Sequence, residues 1–391
     1  MDIHVAFPGP APAESRKDLL AKLFYANPAI AGIDPDPDLA GATFRFAPGV
    51  DQEPPDLRDK VRRIFTSVVD NLTPLSCKVY FDRQDVTPPW RGDVYATLLE
   101  RGEIVPRGKG LFSFGPIFCS LMHALDGIFV NLGRSLEAEE YAFPTLLPVE
   151  VLGRCQYFAS FPNYLTLAHH LPEDIDVLQD FSARYRDTPP AEVSVAEARS
   201  ENALSPAVCY HVYHTIEGAK LAPGQEGRTF LCKGKCFRYE SGSLHMVERL
   251  WDFTMREVVF VGSQDFVLAR RAACLEWAKD LLDALGLRCR IESASDPFFA
   301  GEDMKKQLFQ KALELKYEIL VELPHSGYRL AVGSLNFHQN FFGKTFSIAD
   351  PAGMPACTGC TAFGVERFAL AFLAQHGPDP DAWPARIRER L

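Results

Sequence analysis

Five runs rich in β-branched and aromatic residues follow one another through the second half of the chain. They are AVCYHVY (207–213), TFLCKG (229–234), VVFVG (258–262), YEILVEL (317–323) and YRLAVGS (328–334), punctuated by glycine, proline and asparagine. The three clearest helical patterns, residues 264–285, 303–315 and 364–376, stand at the ends of such runs and not between every pair. That order excludes a regular strand–helix alternation and favours an antiparallel sheet flanked by helices, an α+β arrangement. In the 264–285 helix, Phe266, Ala269, Ala273, Trp277 and Leu281 are expected to share one face.

The first 90 residues read as a separate small α+β unit, with a second domain over 95–391. IHVAF and ATFRFA are strand candidates, and CKVYF is a third. Residues 15–26 and 57–72 are helix candidates, the second with Val61, Ile64, Phe65, Val68 and Val69 at helical spacing. Proline punctuates the acidic loop at 49–56 and the TPPWRGD segment that closes the unit. Its role is open: a partner-docking module or padding for a dimer.

With Lys+Arg at 41 and Asp+Glu at 51 the formal charge is −10, which argues against a broad basic surface for nucleic acid. The start, MDIHVAFPGP, lacks a basic segment followed by an apolar one, so no secretory signal is expected. The most apolar stretch, 111–125, is interrupted by Ser113, Gly115, Pro116, Ser120 and His123 and reads as too short and broken to span a membrane. Ten cysteines in 391 residues do not form a disulfide-scaffold pattern. The expectation is a cytoplasmic protein with reduced thiols, some of them available to a metal. Neither a phosphate-binding P-loop nor a GxGxxG motif is present.

The stretch FRYESGSLHMVERLWDFTMREVVFVG (237–262) concentrates groups able to meet a nucleotide. On a strand ending at Arg238-Tyr239-Glu240, Arg238 and Glu240 share a face. Arg249, Phe253 and Glu257 recur at spacing four and are expected on one face of a second strand. Arginine offers a planar fork for phosphate, phenylalanine a face for a purine, and glutamate an acceptor for an exocyclic amine. The alternative is a hairpin of ordinary solvated charges. Further on, Gly364, Glu366 and Arg367 open an apolar helix, and an arginine in a first helical turn suggests an anion nearby.

These two stretches together resemble motifs 2 and 3 of class II aminoacyl-tRNA synthetases, and EYAFPTLLP (140–148) resembles motif 1, with Pro144 or Pro148 as its proline. The resemblance spans roughly residues 110–380. It is closest to the zinc-dependent branch shared by methanogen-type seryl-tRNA synthetases and the amino acid:carrier-protein ligases. FPTLLP, YFASFP (157–162), SDPFF (295–299), SLNFHQNFFG (334–343) and CTAFGVER resemble the ligases in particular. The resemblance implies a homodimer that activates glycine or alanine with ATP and passes it to a phosphopantetheine thiol on a carrier protein, without tRNA. It places Arg238 on the α-phosphate and substrate carboxylate, Glu240 on the adenine amine, and Arg249 on the β/γ-phosphates. Phe253 stacks on adenine, with Arg367 on the other face and reaching the γ-phosphate.

The same resemblance implies a zinc ion held by Cys209, Glu257 and Cys360, three ligands that leave a fourth position for the substrate's amino group. Read from the residues alone, Cys209 sits in an apolar strand and reads first as a plain core cysteine. The Cys357/Cys360 and Cys232/Cys236 pairs offer an alternative Cys₄ site, and His211 and His214 are spare ligand candidates. Ala362, two residues beyond the metal cysteine, is expected to line the pocket floor and exclude large side chains. Asp296 is placed beside the substrate, its alternative being a turn or cap before Pro297. Ser334 and Asn336 are expected on the substrate or magnesium side. The acidic magnesium ligand of seryl-type cores is missing from GYRLAVG (327–333), which leaves Glu322 as the nearest candidate. A seryl-type tRNA ligase and a non-catalytic synthetase-like binding protein are the competing readings.

Overall fold

The computed structural model describes residues 1–12, 15–69, 77–186, 200–240, 244, 246–294 and 313–391. Its centre is an eight-stranded sheet in the spatial order Val79–Asp82, Cys289–Ser293, Lys316–Leu323, Tyr328–Gln339, Cys357–Gly364, Asp252–Gly262, Gly227–Phe237, Glu139–Ala142. Every pairing is antiparallel except the last, where Glu139–Ala142 runs parallel to Gly227–Phe237. The antiparallel sheet with flanking helices is thus present.

The period-two alternation of the central strands divides their side chains between two cores. On one face Leu231, Val258, Phe260 and Phe363 pack against the helices Pro116–Ser135, Gln264–Ala284 and Val365–His376. On the other, Phe230, Cys232, Val259, Val261, Cys360 and Ala362 meet the helix Cys209–Thr215. The Pro116–Ser135 helix starts inside the apolar stretch and runs beyond it. By length and composition it could cross a membrane, yet Phe118, Leu121, Leu125, Ile128, Phe129 and Leu132 recur at helical spacing and are buried in the core.

Three local expectations are corrected. The AVCYHVY run is a helix, Cys209–Thr215, and not a strand. Its buried positions are Cys209, His211, Val212 and Tyr213; Cys209, Val212 and Tyr213 stand at helical spacing, which a seven-residue apolar run cannot announce. The Gln264–Ala284 helix buries Val267, Arg271, Cys274, Ala278 and Leu281, one position round from the expected stripe. Ser263 caps it through Phe266 N, and Arg271 is accommodated because its guanidinium donates to the Glu314 carbonyl and lies over the Tyr317 ring. The expected helix at 303–315 falls almost wholly outside the described residues.

The third correction concerns the amino-terminal unit. Its own sheet has the order Asp2–Ala6, Gly41–Phe46, Ile30–Pro35, and the helices Arg16–Leu23 and Leu57–Val69 cover it. Its third strand is therefore IAGIDP. The CKVYF segment instead supplies the edge strand Val79–Asp82 of the large sheet, paired to Cys289–Ser293 and tied by Lys78 N to Ser293 Oγ at 2.9 Å. Leu57, Val61, Phe65 and Val68 form the buried stripe of the second helix, while Ile64 and Val69 are only partly covered.

Candidate active site

One row of directly opposed residues crosses five strands on the sheet face away from the long helices. Glu318 faces Ser334, Ser334 faces Ala362, Ala362 faces Glu257, and Glu257 faces Cys232. The adjacent row runs Lys316, Asn336, Cys360, Val259, Phe230. A register shift between Ile319 and Leu320 in the pairing with Tyr328–Gln339 resets the alternation, so that Val332 and Leu335 both reach the core while Ala331, Ser334 and Asn336 line the cleft. Gly333 lies at this step. A Cβ there would stand 2.9 Å from the Ala362 carbonyl oxygen, so any larger residue presses on the strand that carries Ala362 and Cys360.

Cys209 comes to these rows from the short helix. Glu257 Oε1 accepts from Val208 N at 2.8 Å and Cys209 N at 3.2 Å, so the carboxylate orients the helix start while the helix start orients the carboxylate. Ligand atoms of Cys209, Glu257 and Cys360 lie within 4.8 Å of one another, all buried, the one such group among the described residues. Asn336 Nδ2 donates to Cys360 Sγ at 3.4 Å and to Ser334 Oγ at 3.1 Å. His338, a residue not singled out in the sequence, brings Nε2 to 3.9 Å from Cys360 Sγ, with Tyr213 OH and Thr358 Oγ1 each 3.3 Å from its Nδ1. Its signal was available: Ser334, Asn336 and His338 alternate along one strand face.

The electrostatics suit a cation. Burial, and then the nearby Cys360, push Glu257 up to about 8. A hydrogen bond from the Cys209 thiol, ahead of His338 and Asn336, holds Cys360 well below the ordinary thiol value, and the same contact pushes Cys209 well up. Three buried acidic groups crowd one point, and a divalent ion relieves both their desolvation and their repulsion. Two sulfurs and one carboxylate are a donor set for zinc and not for a hard, all-oxygen ion. The Cys₄ alternative is not formed: Cys360 pairs with Cys209, and Cys232 Sγ is directed to the Glu257 carbonyl at 3.8 Å. His211 stacks on Phe143 at 5.4 Å, and His214 pairs with Glu217 at 3.4 Å; neither belongs to the cluster.

The nucleotide-type residues gather at one end of the same cleft but are not built as expected. The strand ends at Phe237, so Arg238 and Glu240 lie beyond it, and Arg249 lies before the strand Asp252–Gly262. Long-range ties hold these loops: Arg238 N to Trp251 O at 3.0 Å, Tyr239 N to Tyr164 O at 3.2 Å, and Trp251 Nε1 to Thr166 Oγ1 at 2.9 Å. Glu240 sits between two cations, 3.0 Å from Arg249 and 3.7 Å from Arg367. Arg367 is fixed in the first turn of its helix by Glu366, which accepts from Thr254 N and Oγ1 at 2.8–2.9 Å. Burial and then Arg249 pull the Arg367 guanidinium below its ordinary value. Two guanidinium groups thus share the Glu240 carboxylate, and a third, that of Arg238, donates to the Pro206 carbonyl at 2.9 Å beside them, a concentration of positive charge suited to an anion.

Arg238, Glu240, Arg249, Ser334, Asn336, Ala362 and Arg367 line a single cleft of about 1760 Å³ with the three metal-ligand candidates. Phe253 shares the strand face of Glu257, but the Arg238 guanidinium covers its ring at 5.6 Å and it is not part of the cleft wall. Glu322 pairs with Arg288 at 3.0 Å and lies off the cleft; Glu318, opposite Ser334, is the acid that strand contributes to the cleft. Asp296 lies outside the described residues.

No family model matches the chain. Two proteins of Bradyrhizobium diazoefficiens are similar along most of their length. Amino acid–acyl-carrier-protein ligase 2 is 36% identical over 265 residues, 67% of this chain and 77% of that protein. Ligase 1 is 33% identical over 285 residues, 72% of this chain and 85% of that protein. The type-2 serine–tRNA ligase of Methanocaldococcus jannaschii is 27% identical over 73% of this chain and 56% of its own. Among solved structures, M. kandleri SerRS in complex with A. aeolicus tRNASec superposes with a TM-score of 0.72, covering 100% of this chain and 77% of that one at 22% identity. Seryl-tRNA synthetase from Pyrococcus horikoshii, complexed with ATP, gives 0.57 at 14% identity, covering 85% of this chain and 78% of that one. The fold is that of class II synthetases, and the chain belongs to the amino acid–acyl-carrier-protein ligase family.

Proposed function

We propose that this protein activates a small amino acid, glycine or alanine, as its adenylate and transfers it to the phosphopantetheine thiol of a carrier protein. The observation that carries this reading is the convergence, in one cleft, of a buried thiol–carboxylate–thiol cluster, a methyl-floored pocket at Ala362 and a cage of guanidinium groups. In the first step a substrate carboxylate oxygen attacks the α-phosphorus of ATP; the O–P bond forms and pyrophosphate departs with the electrons of the broken bond. Arg238, Arg249 and Arg367 neutralise the phosphates, so positioning and charge do most of the work. Stacking of adenine on Phe253 requires the Arg238 guanidinium to swing off that ring and onto the α-phosphate. Glu240, now shared between Arg249 and Arg367, is released to the adenine amine as phosphate takes its place.

In the second step the acceptor's sulfur attacks the carbonyl carbon. A C–S bond forms, the C–O bond to AMP breaks, and the thiol proton passes to water. No side-chain nucleophile is required. Cys209, Glu257 and Cys360 would hold zinc, which when bound would supply a Lewis acid for the substrate's neutral amine. Glu318 and Ser334 would hold magnesium on the phosphate side. Ala362, flanked in register by Glu257 and Ser334, keeps the pocket shallow where a side chain must fit. Asp296 would meet the substrate from the adjoining loop. A cytoplasmic location would suit ten free cysteines, and a homodimer is what the family resemblance implies.

The test is amino-acid-dependent ATP–pyrophosphate exchange across the twenty standard amino acids, with and without a zinc chelator. Exchange with glycine or alanine that disappears on chelation is expected; exchange with a large amino acid, or none, overturns the reading. Acylation of bulk tRNA in preference to a pantetheinylated carrier would favour the seryl-type alternative.

A further inference from the structure

The cleft is larger than a nucleotide and a small amino acid need. Small-molecule sites occupy roughly 300–1,000 Å³, against about 1760 Å³ here. Part of the cleft wall is built by the amino-terminal domain: Leu20, Ala21 and Phe24 from its first helical segment, Ala31 and Ile33 from its edge strand. The two domains meet at the segment that shapes the nucleotide end. Asn163 Nδ2 donates to Tyr25 OH at 3.1 Å, and the neighbouring Tyr164 carbonyl receives Tyr239 N, between Arg238 and Glu240.

The chemistry of this wall restricts what passes along it. Its five named residues are uncharged. Of the charged groups beside them, Asp18 is acidic and Arg45 is already engaged by Asp34 at 3.1 Å. Phe161, Tyr164 and Phe341 contribute further aromatic surface from outside that domain. A nucleic-acid end carries a phosphate per nucleotide and asks for cations along its track. An amide-linked aliphatic arm asks for apolar contact with a few polar groups, which is what this wall offers; the other cations of the cleft, Lys109, Lys316, Arg238, Arg249 and Arg367, all come from outside the amino-terminal domain.

We propose that the amino-terminal domain forms the second wall of the acceptor channel, shaped for a slender, uncharged thiol arm of pantetheine type and poor for a polyanionic RNA end. This rests on the carrier-protein reading above and assigns the domain a part in its second step only.

The experiment narrows the channel from the domain side without touching the catalytic residues. Ala21 and Ala31 are both exposed and stand on different elements, so Ala21→Trp and Ala31→Trp are independent plugs, each checked by thermal melting. Three readouts are taken: ATP–pyrophosphate exchange, aminoacylation of free pantetheine, and aminoacylation of cysteamine, the thiol end of the same arm. The expected result is unchanged exchange, a loss of about tenfold or more in kcat/KM for pantetheine, and cysteamine within about twofold of the unsubstituted protein. Equal losses for both thiols, a loss of exchange in a folded variant, or no loss for pantetheine overturns the proposal. So does efficient charging of bulk tRNA by the unsubstituted protein alongside inert pantetheine. Absence of exchange in the unsubstituted protein removes the parent reading, and this one with it.

Discussion

The two halves of the cleft are built on different principles. The thiol–carboxylate cluster draws two of its three members from the middle of paired strands, where register fixes each side chain to a neighbour on either side. The guanidinium cage draws Arg238, Glu240 and Arg249 from loops just outside the strands Gly227–Phe237 and Asp252–Gly262. Metal coordination tolerates errors of only a few tenths of an ångström. Phosphate recognition works through long, flexible side chains, and the proposed binding step would have Arg238, Arg249 and Arg367 exchange their present partners for phosphate. Rigid pairing suits the first task and loop ends suit the second.

The largest effect expected from this contrast is on the cluster. Cys360→Ser should abolish stoichiometric zinc, read by metal analysis, and reduce exchange by about a thousandfold, roughly 4 kcal/mol of transition-state stabilisation. A variant that keeps its zinc and its activity would show that the cluster is not the metal centre. The next effect is on stability. With zinc removed, Glu257 stays protonated in the folded state up to about 8. In the unfolded chain it ionises near the ordinary value of about 4.3. The folded state therefore binds more protons across that window, and the chelated protein should lose on the order of 3 kcal/mol as pH rises through it. Urea denaturation at pH 5 and pH 8 measures the loss, and Glu257→Gln should flatten it.

The cage should respond differently. Arg367→Ala should lower kcat/KM for ATP by about a hundredfold, near 2.7 kcal/mol, while zinc content and amino-acid KM stay unchanged. Loss of zinc in this variant would show that the two halves are coupled. The smallest effect belongs to Glu240→Gln. Removing the carboxylate between Arg249 and Arg367 should cost about tenfold in ATP KM and weaken discrimination of ATP from GTP, read by substrate competition.

The same contrast explains what could be read from the sequence. The central strands were legible because their alternation is local, and so was the Val365–His376 helix with Gly364 before it. Glu257, Cys360 and Ala362 fall where strand parity puts them. Parity failed for Arg238, Glu240 and Arg249 because what ends the strands is not local: Trp251, held by Gly110 and Thr166, closes the loop from outside. The Cys209 segment was misread for a related reason. Its helix is oriented through Glu257, a residue far along the chain, and no short-range pattern reports that. The trio itself was suggested by the family resemblance and not by spacing. His338 and Glu318 were missed although their strand faces were visible.

The cross-strand row from Glu318 to Cys232 has a consequence for assembly. A slip of one residue in the Cys357–Gly364 strand would turn Cys360 away and present Thr361, and a slip in Asp252–Gly262 would present Val258 in place of Glu257. A mispaired sheet could be compact and still hold no ion. Bound zinc would then act as a certificate of correct strand alignment, and titrating it would count the properly threaded molecules in a preparation.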